Sequence, residues 1–137
     1  VNEVFARTVA EKADENSVVW IHDYQLMLVG NSLRKLGVEQ HLSFFLHIPF
    51  PSADLIRRIP WRRELMEGLL DYDHIGFQTS RDRRNFIQAI RWVLPDCRVR
   101  ASGREAFLHY RNRAIRLGFP LPAGTGLPLP GGASWLA

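Results

Sequence analysis

Three polar clusters follow apolar runs in this sequence, and they are where chemistry could sit: His22-Asp23-Tyr24, His47 ahead of Ile48-Pro49-Phe50-Pro51, and Gln78-Thr79-Ser80. The carboxylate of Asp23 can accept hydrogen bonds from hydroxyl groups, and its two oxygens suit the vicinal diols of a sugar. An Asp at the head of a helical segment can equally be a helix cap. His47 closes an apolar run, so its imidazole either faces a crevice or is a satisfied core group. The Pro49-Phe50-Pro51 turn favours a site, because it stiffens a loop that would otherwise move. His22, Asp23 and His47 are also acceptable metal ligands. Side chains alternate along a strand, however, so neighbours 22 and 23 converge awkwardly on one ion. His41 and His74 fit surface or strand-edge roles. No Ser-His-Asp or Cys-His nucleophile arrangement can be argued, and no Walker or GxGxxG phosphate loop is present.

Positioning these groups requires a scaffold, and the hydrophobic pattern supplies one. Val1, Val4, Phe5 and Val9 fall at helical spacing, so residues 1–13 read as an amphipathic helix. Residues 18–22 are a short, β-branched, continuously apolar run, the signature of a strand buried on both faces of a parallel sheet. Residues 26–36 read as a helix ending at Gly37, residues 42–48 as a second strand, and a short helix capped by Ser52 ends before Pro60. A helix over 61–70, a strand over 74–78 and a helix from a Ser80 cap to Leu94 follow. From Arg98 the pattern weakens. Val99 and the stretch 114–119 are candidate strands, with a hairpin around Gly103-Arg104.

Strands alternating with helices predict an α/β fold, a Rossmann-like parallel sheet with helices on both faces. Ligands of such sheets bind beyond the carboxyl ends of the strands, where the three polar clusters fall. Residues 1–121 read as one partial domain. Residues 122–137, rich in Gly and Pro and free of charge, read as a disordered or non-native tail.

The chain has 137 residues, 46% hydrophobic and 23% charged, which places it with folded domains and not with disordered chains. No apolar run approaches the roughly 20 residues that span a bilayer, and no signal-peptide pattern opens the chain. One cysteine, Cys97, excludes an internal disulfide and a cysteine metal cluster. A cytoplasmic home is expected, with no membrane partner. The net charge of +4 comes almost wholly from Arg, which suits phosphate recognition. The Arg residues alternate with acids, as in Arg62-Arg63-Glu64 and Arg81-Asp82-Arg83-Arg84, so solvated helix faces are expected and no nucleic-acid patch.

Several ordered segments resemble the trehalose-6-phosphate synthase family. Residues 18–29, VVWIHDYQLMLV, resemble the family's VWVHDYHLMLVP, and residues 44–52 match its FFLHIPFPS. Residues 60–65 and 68–79, PWRREL and GLLDYDHIGFQT, continue in register, so the likeness runs over about residues 1–97. Residues 113–120, RAIRLGFP, are similar to the family's GRxVRVGAFPI strand, one residue shorter.

This resemblance implies part of the N-terminal half of a GT-B glycosyltransferase. That family transfers glucose from UDP-glucose to glucose-6-phosphate with retention, without cofactor or catalytic metal, by same-face attack in which the donor phosphate accepts the acceptor proton. It implies catalytic or substrate-binding roles for Asp23, which would meet acceptor glucose, and His47, which would meet donor glucose. His22 and Tyr24 would flank the same site. Gln25 stands where many members have His, and Gly30 where many have Pro, which leaves a glucosylglycerol-phosphate synthase as an alternative. A non-catalytic sugar-phosphate-binding module is another, and an Arg-driven nucleic-acid binder a third. The family's acceptor-phosphate residues would precede Val1, and its donor domain would follow Leu121. The chain is therefore expected to be an internal or truncated piece, inactive alone, of a parent that could be a homo-oligomer.

Overall fold

The structure is a computed structural model and describes residues 1–102, 105–119 and 134–136. In chain order the elements are α1 (Asn2–Lys12), β1 (Ser17–His22), a 3-10 turn (Tyr24–Leu26), α2 (Val29–Lys35), β2 (His41–Leu46), α3 (Ala53–Arg57), α4 (Arg62–Leu69), β3 (His74–Phe77), α5 (Ser80–Val93), β4 (Arg98–Ser102), β5 (Glu105–Tyr110), β6 (Arg113–Gly118) and β7 (Ser134–Leu136). They form one sheet in the order β4-β5-β6-β3-β2-β1-β7. The pairs β1–β2, β2–β3 and β3–β6 are parallel, as expected for the three apolar runs. Beyond β6 the sheet becomes antiparallel, because β4 and β5 form the hairpin expected around 103–104, two residues that lie outside the described ones. Of the Gly/Pro-rich stretch, Ser134–Leu136 pair parallel to β1, and the rest lies outside the described residues.

The register aligns Trp20, Ser43, His74 and Arg116 across the sheet, then His22, Phe45, Gly76 and Gly118 two residues on. The other face presents Val19, Ile21, Leu42, Phe44, Leu46, Ile75, Phe77, Ile115 and Leu117, all buried. Against it pack Ala6 of α1, Val29 and Leu33 of α2, Ile56 of α3, Met66 and Leu69 of α4, and Phe86, Ala89 and Ile90 of α5. Each of the larger side chains, from Val to Phe, contributes roughly 1.5–3 kcal/mol by leaving water. The expectation of helices on both faces is thus met on one face by the described residues. Strands β1, β2, β3 and β6 are added in a single direction, and right-handed crossovers then return every helix to the same side.

The helix expected over 26–36 is broken, for a reason that lies far away in sequence. The Tyr72 hydroxyl donates to the Leu26 carbonyl at 3.2 Å and accepts from the Gly30 N–H at 3.0 Å. Those two groups would bond each other in a continuous helix, so the inserted hydroxyl divides it into the 3-10 turn and α2. Gly30 permits this. A Cβ there would lie 2.7 Å from the Tyr72 ring. At the other end Gly37 is the expected C′ residue, at φ +82°, with Gly37 N–H bonded to Arg34 O and Val38 N–H to Leu33 O. The expected caps differ. Thr79, not Ser80, caps α5, accepting from Asp82 N–H at 3.2 Å. Ser52 sits at the N-cap of α3 without a side-chain bond.

Asp73, just before β3, ties the amino ends of the strands together. Its carboxylate accepts from Leu42 N–H at 2.8 Å, Arg34 at 2.8 Å and Arg113 at 3.1 Å. Its own N–H donates to Leu42 O at 2.8 Å, and its carbonyl accepts from Arg116 N–H at 2.9 Å. His74 is central, not the edge or surface residue expected. It bonds the Ser43 hydroxyl at 2.8 Å, and its pKa is lowered to about 4, first by burial and then by Arg116 and His41.

Two stability outcomes follow. Asp73→Ala removes three acceptances at once and leaves Leu42 N–H unpaired. Urea unfolding should show a loss of about 2–3 kcal/mol, where an exposed ion-pair role would show less than 1. For His74, the unfolded chain takes up a proton below pH 6.5 and the folded chain resists until about pH 4. Its contribution is therefore complete above pH 6.5 and declines as pH falls toward 4, by about 1.4 kcal/mol per unit. Between pH 7 and 4.5, His74→Gln should lose about 2–3 kcal/mol less than the parent chain.

Candidate active site

The parallel register brings the carboxyl ends of β1, β2 and β3 to one edge of the sheet, and the three polar clusters stand there. His22 is the last residue of β1, and His47 lies one residue beyond β2. The two imidazoles meet, with His22 Nδ1 and His47 Nε2 2.8 Å apart, ring centroids 5.1 Å apart and planes inclined by 27°. Trp20 packs beside His22 at 4.4 Å, and Phe45 stands edge-on to His47 at 4.5 Å. His22 is half-buried and His47 exposed. Burial first, and His47 second, lower the His22 pKa, while Asp23 opposes them. Among the described residues no group of three His, Cys, Asp or Glu could hold a metal ion.

Asp23 ends the strand abruptly. Its backbone is at φ +72°, ψ 153°, a conformation that L-residues avoid. Such a residue stores about 1–3 kcal/mol of strain and persists only where its surroundings impose it. Here two bonds impose it. Asp23 N–H donates to Phe45 O at 3.0 Å, and Asp23 O accepts from Leu26 N–H at 3.1 Å. The capping alternative does not hold, because the Asp23 side chain makes no cap bond to the 3-10 turn that follows. The half-buried carboxylate stays beside His22, and Tyr24 is exposed next to it.

The loop after His47 is anchored from α5. Phe50 is buried between Phe77 and Phe86, with centroids 6.4 and 5.3 Å away. Phe50 N–H donates to Asp82 Oδ1 at 3.2 Å, and Asn85 Nδ2 donates to Phe50 O at 3.0 Å. Thr79 donates its hydroxyl to Asp82 Oδ2 at 2.7 Å, so one buried carboxylate both closes the cap of α5 and fastens the loop. Asp82 and Asn85 were not singled out from the sequence. The Thr79-x-x-Asp82 spacing is the capping-box signal that would have found the first. A cleft of about 560 Å³ opens between this loop and α5, lined by Pro49, Phe50, Ser52, Leu55, Gln78, Thr79, Arg81, Asp82 and Asn85. Asp23 and the histidine pair do not line it. The structure thus gathers His22, Asp23, Tyr24 and His47 at one edge, and Gln78 and Thr79 at the neighbouring cleft.

Known proteins share the sequence pattern and the fold. The family model for glycosyltransferase family 20 matches residues 1–125. The chain is 44% identical over 90 residues to a trehalose-6-phosphate synthase of Enterobacter sp. (strain 638), covering 66% of this chain and 19% of the relative. It is 44% identical over 95 residues to a glucosylglycerol-phosphate synthase of Pseudomonas anguilliseptica, covering 69% of this chain and 13% of that one. Its fold is similar to the crystal structure of a UDP-forming alpha,alpha-trehalose-phosphate synthase from Burkholderia xenovorans in complex with glucose-6-phosphate, with a TM-score of 0.78 at 33% identity, covering 86% of this chain and 26% of that one. The chain therefore spans about a quarter or less of the length of the relatives it matches. A sheet, a register and an edge of polar side chains that coincide with a family match over residues 1–125 lead to one assignment: the chain belongs to glycosyltransferase family 20.

Proposed function

We propose that this chain forms the acceptor-side wall of the active-site cleft in a retaining glycosyltransferase that moves glucose from UDP-glucose to glucose-6-phosphate. The observation that carries the reading is the strained Asp23 beside the His22–His47 pair at the carboxyl ends of neighbouring strands. Strain of this kind clusters at functional sites, where the surrounding structure over-determines the conformation. Asp23 accepts hydrogen bonds from the hydroxyls of the acceptor sugar, His47 holds the glucose of the donor, and His22 and Tyr24 complete the wall. The reaction breaks the bond from the anomeric carbon to the diphosphate and forms the new one on the same face. The acceptor hydroxyl proton passes to a donor phosphate oxygen, so no protein nucleophile, cofactor or metal is needed. A cytoplasmic setting completes the reading. It suits Cys97, a buried free thiol whose pKa is pushed up to about 11 by burial and then by Asp96.

A second reading, transfer to glycerol 3-phosphate, draws on one feature. Gln25 is exposed on the 3-10 turn directly after Asp23 and Tyr24, where it can hydrogen-bond a ligand but cannot titrate. Competition between the two acceptors in a UDP-release assay of the full-length gene product decides between them.

Two outcomes test the main reading. In the full-length gene product, Asp23→Gly should reduce kcat on the order of 100-fold or more, because sugar hydroxyls lose their fixed acceptor. The same change should hold or raise stability by about 1 kcal/mol, since glycine tolerates the backbone conformation without strain. A variant that loses stability and keeps its turnover would refute the site. The 137-residue chain by itself should release no measurable UDP from UDP-glucose and glucose-6-phosphate, and should bind either sugar no tighter than about 1 mM, some 4 kcal/mol. One wall cannot hold donor and acceptor at the roughly 3–3.5 Å that transfer requires. Turnover by the purified chain would overturn this assignment of half a cleft.

A further inference from the structure

His47 lies one residue beyond the last residue of β2, exposed and outside the ladder that fixes its neighbours. A side chain in that position has rotational freedom unless something holds it. His22 does. It is the last residue of β1, half-buried, with Trp20 at 4.4 Å and the edge of Phe45 at 6.3 Å. Its position follows from the strand register, which pairs it with Phe45. From that fixed base His22 Nδ1 reaches His47 Nε2 at 2.8 Å.

We propose that His22 is a positioning residue for His47, fixing the rotation of its imidazole and coupling the tautomers of the two rings, so that Nδ1 is the one nitrogen of His47 left to meet the donor sugar. The inference rests on the reading of His47 as the donor-glucose contact. The coupling follows from counting hydrogens. A 2.8 Å separation between two imidazole nitrogens holds a single hydrogen. If it sits on His22 Nδ1, His47 carries its own hydrogen on Nδ1 and offers a donor to the sugar. If it sits on His47 Nε2, His22 carries its own on Nε2 and His47 offers an acceptor at Nδ1. Both rings therefore share one tautomer type, and a hydroxyl can answer either form. Doubly protonated, the pair would set two N–H groups against each other and lose the bond. The groups of either charge beside His22 are Asp23 on its own strand end and His47 across from it, while Trp20 and Phe45 contribute none. Burial and His47 together hold the His22 pKa below its usual value, which disfavours that doubly charged state.

The test uses the full-length gene product labelled with 15N-histidine. Imidazole nitrogen shifts should place His22 and His47 in the same tautomer, and His22→Ala should return His47 to the averaged signals of a free ring. In UDP-release assays His22→Ala should lower kcat/KM for UDP-glucose 10- to 100-fold with an unchanged unfolding midpoint. His22→Asn, whose amide reaches the place of Nδ1, should recover that loss to within about fivefold. Unlike tautomers in the parent, or His47 signals untouched by His22→Ala, would overturn the proposal. So would equal losses in the Ala and Asn variants with lowered midpoints, since these report a structural role. Absence of any glycosyl transfer would instead count against the proposed function, and the nitrogen shifts still decide the pairing by themselves.

Discussion

Asp73 is the constraint on which the sheet depends. Its carboxylate and both its backbone groups bond β2, β6 and α2 at once, at the amino edge of the strands. Strand pairing has a side-chain period of two, so a slip of one residue would turn every core side chain to the other face. Fixing Leu42 and Arg116 against residue 73 prevents that slip at the centre of the sheet. The bonds are charge-assisted and partly shielded, with Asp73 itself 31% exposed, which makes them stronger than surface pairs without the full penalty of burial.

What is fixed at the amino edge is delivered at the carboxyl edge. Because β1, β2 and β3 run parallel in register, their polar ends arrive together, and His22 and His47 meet although 25 residues separate them. The same alignment lets Phe45 O accept from Asp23 N–H, the bond that helps hold Asp23 in its avoided conformation. The site and the strain are products of one register. On the far side of His47, the loop is held by Phe50 in the core and by Asp82 and Asn85 of α5, so the two prolines are only part of its rigidity.

Several of the arginines are tied into the fold. Arg34 and Arg113 bind Asp73, Arg57 binds Asp54, Arg63 binds Glu67, and Arg116 binds Glu105. Arg57 also stacks over Trp92 at 4.6 Å, and one more, Arg62, does so at 5.3 Å. Of the ion pairs, Arg57–Asp54 and Arg63–Glu67 are those that alternating Arg and acid along a helix should give.

Local chemistry determined much of this by itself. The apolar runs at 18–22, 42–48 and 74–78 read as strands of a parallel sheet, Gly37 as the residue that ends a helix, and polar clusters after each strand marked the edge where ligands of such sheets bind. The alternation of Ala106 and Leu108 with Glu105, Phe107 and His109 is a local strand signal for β5 as well. Tertiary structure alone decided the rest, because each remaining feature needs a partner distant in the chain. Tyr72 divides the helix at Leu26 and Gly30 from more than 40 residues away. Phe45 helps force the backbone of Asp23, and Ser43 takes His74 into the centre of the sheet. The pairing of His22 with His47 likewise depends on which strand lies beside which, a choice made by the packing of the whole sheet and not by any local spacing.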